Sequence, residues 1–193
     1  FQLAKTTPAK KIAATVALSK NTIKIINKDS THNFLNKINN DIATFNISGN
    51  IRYGLFSKID MGVGFSLPGL ISLDTKYNFF SHNKHYTSAA IALSKINFKT
   101  YKPSIDTINI TDNTILLYHT YEIKEKTSLT IKSFLNIRKL TEKNNNPNYK
   151  EYYFLGAGFG MLIEWFFFDI VVFKDIKQSE KYLKQFSLGY LIK

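Results

Sequence analysis

The chain has no cysteine and only two arginines. Without cysteine there is no disulfide framework, no Cys-ligated zinc site and no thiol nucleophile. Proline is scarce, at 4 residues, and acidic charge is low, with 14 Asp and Glu against 26 Lys and Arg for a net charge of +12. No uncharged apolar run reaches the roughly 18 residues of a membrane helix. The longest, Trp165 to Phe168 and Ile170 to Phe173, is split by Asp169. That absence leaves one way to cross a bilayer, the closed β-barrel. There is also no HExxH and no phosphate loop. The run Gly156-Ala157-Gly158-Phe159-Gly160 lies inside a strand-like pattern, not between a strand and a helix, so it is no dinucleotide loop.

What is abundant sets the class. The 44% apolar fraction excludes a disordered charged tail. Lys, Asn and Ile make up a third of the chain, a bias of AT-rich coding that discounts many single Lys and Asn. At 193 residues, a single domain over 1–193 is expected. Phe1 is not an initiator Met, so a processed or trimmed chain is expected.

Hydrophobicity alternates with period two almost throughout. Ala43, Phe45, Ile47, Ile51 and Tyr53 share one face, opposite Thr44, Asn46, Ser48, Asn50 and Arg52. Ile59, Met61, Val63, Phe65 and Leu67 then alternate with Asp60, Gly62, Gly64 and Ser66. Beyond Pro68-Gly69, Ile71, Leu73, Tyr77 and Phe79 alternate with Ser72, Asp74, Lys76 and Asn78. Further strands are expected at 11–26, 85–95, 114–123, 128–138, 152–163, 166–174 and 185–192, and short helical turns would fit at 34–42 and 178–185.

The connections fall into two groups. Residues 54–58, 81–84, 124–127 and 164–165 are short, whereas 27–41, 96–113, 139–151 and 175–184 are long, with the turn at 68–70 the exception. Long and short ends segregate to opposite sides of an up-and-down meander. That is the pattern of a transmembrane antiparallel β-barrel of about ten strands, with eight as the alternative, short turns periplasmic and long loops outside. In such a barrel the apolar face meets lipid and the polar face lines the lumen. Small residues on the polar face (Gly62, Gly64, Ser66, Ser72, Gly156, Gly158, Gly160) suit a crowded lumen. Aromatics near strand ends (Tyr53, Phe56, Tyr77, Phe79, Phe80, Tyr86, Tyr152, Tyr153, Trp165, Phe166) suit an interfacial girdle. The competing expectation is a soluble core built from the same residues.

The stretch IRYGLFSKIDMGVGFSLPGLISLDTKYNFF, residues 51–80, resembles the second-to-fourth-strand block of small Gram-negative outer-membrane β-barrel proteins. There a strand ends in Arg-Tyr-Gly, a short turn follows, and the next strand carries Asp-x-Gly-x-Gly. FFFDIVVFKDI, 166–176, resembles their penultimate strand and FSLGYLIK, 186–193, their closing strand. The resemblance implies a bacterial outer-membrane location, membrane lipid and the outer-membrane assembly machinery as partners, and another envelope protein reached through the long loops. Such proteins commonly end in an aromatic read by that machinery, whereas this chain ends Leu191-Ile192-Lys193. A trimmed C-terminus, or Tyr190 in that role, would account for the difference.

The candidate functional residues follow from phase. Arg52, Asp60, Asp74, Lys76, Lys132, Arg138 and Asp169 fall on the polar phase and are expected to form a lumen charge network. Both arginines at inward positions suggest bidentate pairing with carboxylates. Phe45, Ile47, Val63, Leu73, Leu155 and Phe159 are expected to face lipid. No Ser/His or Asp/His pairing favours catalysis, and no cofactor or metal is expected; His82 and His85 read as a solvated turn, His32 and His119 as isolated. The long loops are close to neutral and carry no basic cluster with interleaved aromatics, so no nucleic-acid face is expected. The expected function is an outer-membrane barrel with a narrow, side-chain-filled lumen in a structural or interaction role. Its rivals are a small pore or transporter for ions or apolar solutes, a soluble lipocalin-type barrel, and an outer-membrane enzyme.

Overall fold

The computed structural model describes residues 4–25, 42–67, 69–99, 107–143, 148–177 and 181–192. They form ten strands: β1 (Ile12–Ile25), β2 (Ile42–Phe56), β3 (Ile59–Ser66), β4 (Leu70–His82), β5 (His85–Lys99), β6 (Thr107–Lys124), β7 (Thr127–Lys143), β8 (Asn148–Ile163), β9 (Phe166–Asp175) and β10 (Lys181–Ile192). Each strand pairs antiparallel with its neighbour in sequence, and β1 pairs with β10 to close the barrel. Closure removes every sheet edge over the paired length, which a two-sided apolar and polar sheet could not otherwise hide.

Alternation decides which side chain points where. The outward phase is apolar around the whole circumference: Val16, Ile51, Met61, Ile71, Ile91, Ile115, Ile131, Ile163, Ile170 and Leu188 are all exposed. The inward phase is polar and buried, with Asp60, Lys76, Ser88, Thr120, Thr130, Asp169 and Ser187 among its members. The arrangement is that of a water-soluble barrel turned inside out. The short turns are two residues each, at 57–58, 83–84, 125–126 and 164–165. Register shifts at Gly54/Phe56, Asn78/Phe80 and Glu122/Lys124 lie beside three of them. Such bulges add twist where the chain must reverse.

Several boundaries differ from the sequence expectation. Of the connection expected at 96–113, residues 96–99 and 107–113 are strand; of that at 139–151, residues 139–143 and 148–151 are strand. The pairing runs on to Thr107↔Lys143 and Glu142↔Asn148. The apolar pattern stops there, but backbone pairing needs no apolar side chain. Residues 181–185 belong to β10, not to a helical turn, and Ile42 opens β2; 27–41, 178–180 and most of 34–42 lie outside the described residues. His32 lies outside them as well.

Candidate functional site in the barrel lumen

The inward phase of β2, β3 and β4 brings four charged side chains together near the short-turn end. Arg52 donates from Nη2 to Asp60 Oδ1 at 2.5 Å and from Nη1 to Asp74 Oδ1 at 2.5 Å. Lys76 Nζ lies 3.4 Å from Asp60 Oδ2. The register makes this possible, since Asp60 sits opposite Lys76, and Gly62 sits opposite both Arg52 and Asp74. A Cβ on Gly62 would lie 2.7 Å from Asp74 Oδ2 and 2.8 Å from Arg52 Nη1, so glycine leaves the space the pair occupies. Lys76 is 2% exposed and Asp60 0%, so neither ion has water as a substitute partner.

The same end is filled by residues 4–10, which enter the lumen ahead of β1. Thr7 N donates to Asp60 Oδ2 at 2.7 Å, and Lys76 Nζ donates to the carbonyl of Lys5 at 3.1 Å. Ala4 N donates to Thr120 Oγ1 at 2.8 Å, while its carbonyl accepts from Asn78 Nδ2 at 3.3 Å and from the Ser88 hydroxyl. Lys5 Nζ pairs with Glu122 Oε1 at 3.0 Å, and Tyr86 donates to Glu122 Oε2 at 3.1 Å. Burial pulls the Lys5 ammonium down, but Glu122 and Tyr86 hold it above the usual lysine range. At the rim Lys10 N donates to the Gly54 carbonyl at 2.7 Å. A Cβ on Gly54 would meet the Pro8 carbonyl oxygen at 2.1 Å, so this close backbone approach requires glycine. The segment therefore caps the lumen, with the amides of Ala4 and Thr7 and the carbonyls of Ala4 and Lys5 satisfied by inward side chains.

Across the barrel, β6 to β10 carry a different arrangement. Lys132 Nζ pairs with Asp169 Oδ2 at 2.5 Å. Arg138 grips Asp112 in bidentate fashion, Nε to Oδ1 and Nη2 to Oδ2, both at 2.8 Å. Between and above these pairs, toward the loop side, lies a cavity of 330 Å³. Leu116, Phe134, Phe154 and Phe173 supply its apolar wall, with Asn136, Gln185 and the two ion pairs as polar lining. The Phe134 and Phe173 rings meet at 4.5 Å, tilted by 56°.

All seven residues of the expected charge network thus sit on the inward phase, in three separate groups. Arg52, Asp60, Asp74 and Lys76 form one, Lys132 and Asp169 another, and Arg138 pairs with Asp112. Asp112 falls in the connection expected at 96–113, but the structure places it on β6, opposite Arg138. Phe45, Ile47, Val63, Leu73, Leu155 and Phe159 are on the outer face, from 39% exposed at Phe159 to 68% at Phe45. Tyr86, expected in the outer girdle, points inward to Glu122. His119, expected to be isolated, lies 3.2 Å from His85 Nδ1 through its Nε2 and 3.0 Å from Thr87 Oγ1 through its Nδ1, because β5 and β6 are adjacent. Among the described residues no group of three or more His, Cys, Asp or Glu converges as a metal site.

A closed antiparallel barrel with its charges inside and its apolar face outside defines the class. No protein-family description matches the chain, and no curated protein sequence does. Solved structures do match. Ail, the attachment invasion locus protein of Yersinia pestis, solved with the heparin analogue sucrose octasulfate, is 12% identical over 94% of this chain and 97% of its own, with a TM-score of 0.50. Neisserial surface protein A is 10% identical over 94% and 96%, with a TM-score of 0.45. The translocator domain of the autotransporter NalP from Neisseria meningitidis is 10% identical over 93% and 88%, with a TM-score of 0.48. The chain has the fold of bacterial outer-membrane β-barrels.

Proposed function

We propose that this protein is an integral barrel of the bacterial outer membrane, with a non-conducting lumen, a structural or interaction role, and no enzymatic activity. The carrying observation is the inversion of the barrel. Large apolar side chains are exposed on every strand, while Arg52, Asp60, Asp74, Lys76, Lys132 and Asp169 are buried inside. Water would penalise that outer surface and hydrocarbon would not. The exposed aromatics Tyr53, Phe56, Tyr77, Phe79, Phe166 and Tyr190 lie toward the short-turn ends, where an interfacial girdle belongs. Lipid is the first partner and the outer-membrane assembly machinery the second; the loops offer the face for another envelope protein.

The closed lumen is supported by the residue 4–10 segment and the Arg52 cluster stacked at one end. The rival, a small pore for ions or apolar solutes, draws on the loop-side cavity. Planar-bilayer recordings of the purified protein separate them. The proposed reading expects no steady single-channel steps, and large, stable steps would favour transport. Spin labels at Phe45, Ile47, Val63, Leu73, Leu155 and Phe159 should be open to oxygen and shielded from a water-soluble quencher. The reverse would mean a soluble barrel.

A further inference from the structure

We propose that His85 and His119 form a two-imidazole site for a divalent late transition-metal ion on the outer face of the barrel, beside the short turn between β4 and β5. The two histidines stand on neighbouring strands. His85 is opposite Tyr121 and Thr87 opposite His119, so His85 and His119 are diagonal neighbours on one outward face. His85 Nδ1 and His119 Nε2 are 3.2 Å apart. Two metal–nitrogen bonds of about 2.0–2.1 Å spanning that separation meet at about 100°, between the square-planar and tetrahedral angles. The strand register therefore already sets the spacing that chelation needs. Each ring has to turn by about 40° from the line joining the nitrogens to aim its lone pair at the ion, a motion within the broad χ2 range of histidine.

Two further contacts prepare the rings. His119 Nδ1 lies 3.0 Å from Thr87 Oγ1. When Nδ1–H donates to that hydroxyl, Nε2 keeps the lone pair, and the ring is oriented by the kind of outer hydrogen bond that metal-binding histidines have. The His85 ring packs on Tyr121, with centroids 4.8 Å apart and planes 32° from parallel. His119 is exposed and His85 half-buried, so an ion can reach both from outside the barrel. Phe80 is opposite Thr87, which puts the site in the aromatic belt, where water and headgroups are present. His82 is opposite His85 on β4, and its ring stands 6.5 Å from Phe80. Among the described residues no third His, Cys, Asp or Glu joins the pair, so water fills the remaining coordination positions. Imidazole nitrogen selects copper, nickel and zinc over magnesium and calcium, which take oxygen. Of these ions copper(II) binds such a site most tightly.

The test is titration of the full chain in lipid nanodiscs with Cu²⁺, read by calorimetry and by electron paramagnetic resonance, with Zn²⁺ and Mg²⁺ as comparators. Cu²⁺ should bind with a dissociation constant of about 10 μM or tighter, and its electron-spin-echo modulation should report two imidazole nitrogens. Zn²⁺ should bind more weakly and Mg²⁺ not at all. His85→Gln and His119→Gln should each weaken Cu²⁺ binding by about 10-fold or more. The variant with both His32→Gln and His82→Gln should bind within about 3-fold of the unmodified chain. No Cu²⁺ binding at about 100 μM overturns the proposal, as does a bound-copper signal without two imidazoles. Unchanged affinity in His85→Gln or His119→Gln, or lost affinity in the His32→Gln and His82→Gln variant, also overturns it, with each barrel shown to be folded by its gel mobility before and after heating.

Discussion

At the short-turn end of the lumen Arg52 serves two carboxylates, Asp60 and Asp74, and Lys76 shares Asp60. Across the barrel Lys132 and Arg138 each hold a single carboxylate. The first cluster does not finish its own bonding; Thr7 N and the Lys5 carbonyl complete it. The second borders a cavity, and Asn136 Oδ1 and Asp169 Oδ1 are buried there without a hydrogen-bond partner among the described residues. Similar residue types thus do opposite work. One region uses its polar groups on the chain's own backbone and is sealed, while the other pairs its charges side chain to side chain beside a cavity.

The sharpest way to break the comparison is at the sealed end. Asp60→Asn with Asp74→Asn would strand Arg52 and Lys76 without counter-ions. The expected loss is about 3–5 kcal/mol, the scale of breaking a buried pair from one side, read from urea unfolding in lipid vesicles. A loss no greater than that of an exposed pair would mean the cluster is hydrated.

An arginine on the outer belt, as in Val63→Arg or Leu155→Arg, should cost about 2–4 kcal/mol at mid-bilayer depth. The effect should be alike on both sides of the barrel, since lipid does not distinguish the two halves. A neutral outcome in the same unfolding assay would place these residues outside the hydrocarbon layer.

Gly54→Ala acts on the residue 4–10 segment and leaves every charge in place. Its new Cβ would collide with the Pro8 and Thr7 carbonyl oxygens, at 2.1 and 2.5 Å. Displacing the segment should cost about 1–3 kcal/mol and make it cleavable by protease from the short-turn side. A protected segment in this variant would contradict the described packing.

The smallest effect belongs to the open end. Asn136→Leu removes one hydrogen bond, to Thr114, and an acceptor that was unpartnered, so stability should change by less than about 1 kcal/mol. A larger loss would show that Asn136 is structural, of the same kind as Asp60.

The architecture was legible because alternation and connection length are local signals. In residues 51–80 the apolar and polar positions hardly mix, and Arg52, Asp60, Asp74 and Lys76 could be put on one face from phase alone. Their pairing needed the register, which depends on bulges such as that at Gly54/Phe56. Asp112 was hidden because its outward neighbours Thr111 and Asn113 are polar too, so no phase shows there. The aromatic wall was hidden for the opposite reason. Phe167, Val171 and Phe173 are inward yet apolar, and apolar residues on both faces of β9 erase the alternation. The lumen segment had no signal at all. Nothing in Ala4 to Lys10 repeats, and its place is set by hydrogen bonds to distant strands.

Those distances along the chain have a consequence in time. Ala4 bonds to Asn78, Ser88 and Thr120, which are 74, 84 and 116 positions away in sequence. Its dock is divided among β4, β5 and β6 and does not exist until those strands have paired. The first residues in sequence therefore settle after the middle of the molecule has formed. Because Thr7 also completes the Asp60 site, an assembly intermediate with the sheet begun but the segment outside would hold a carboxylate and an ammonium short of one partner each. Docking then acts as a final lock, and half-built barrels remain the easier ones to take apart.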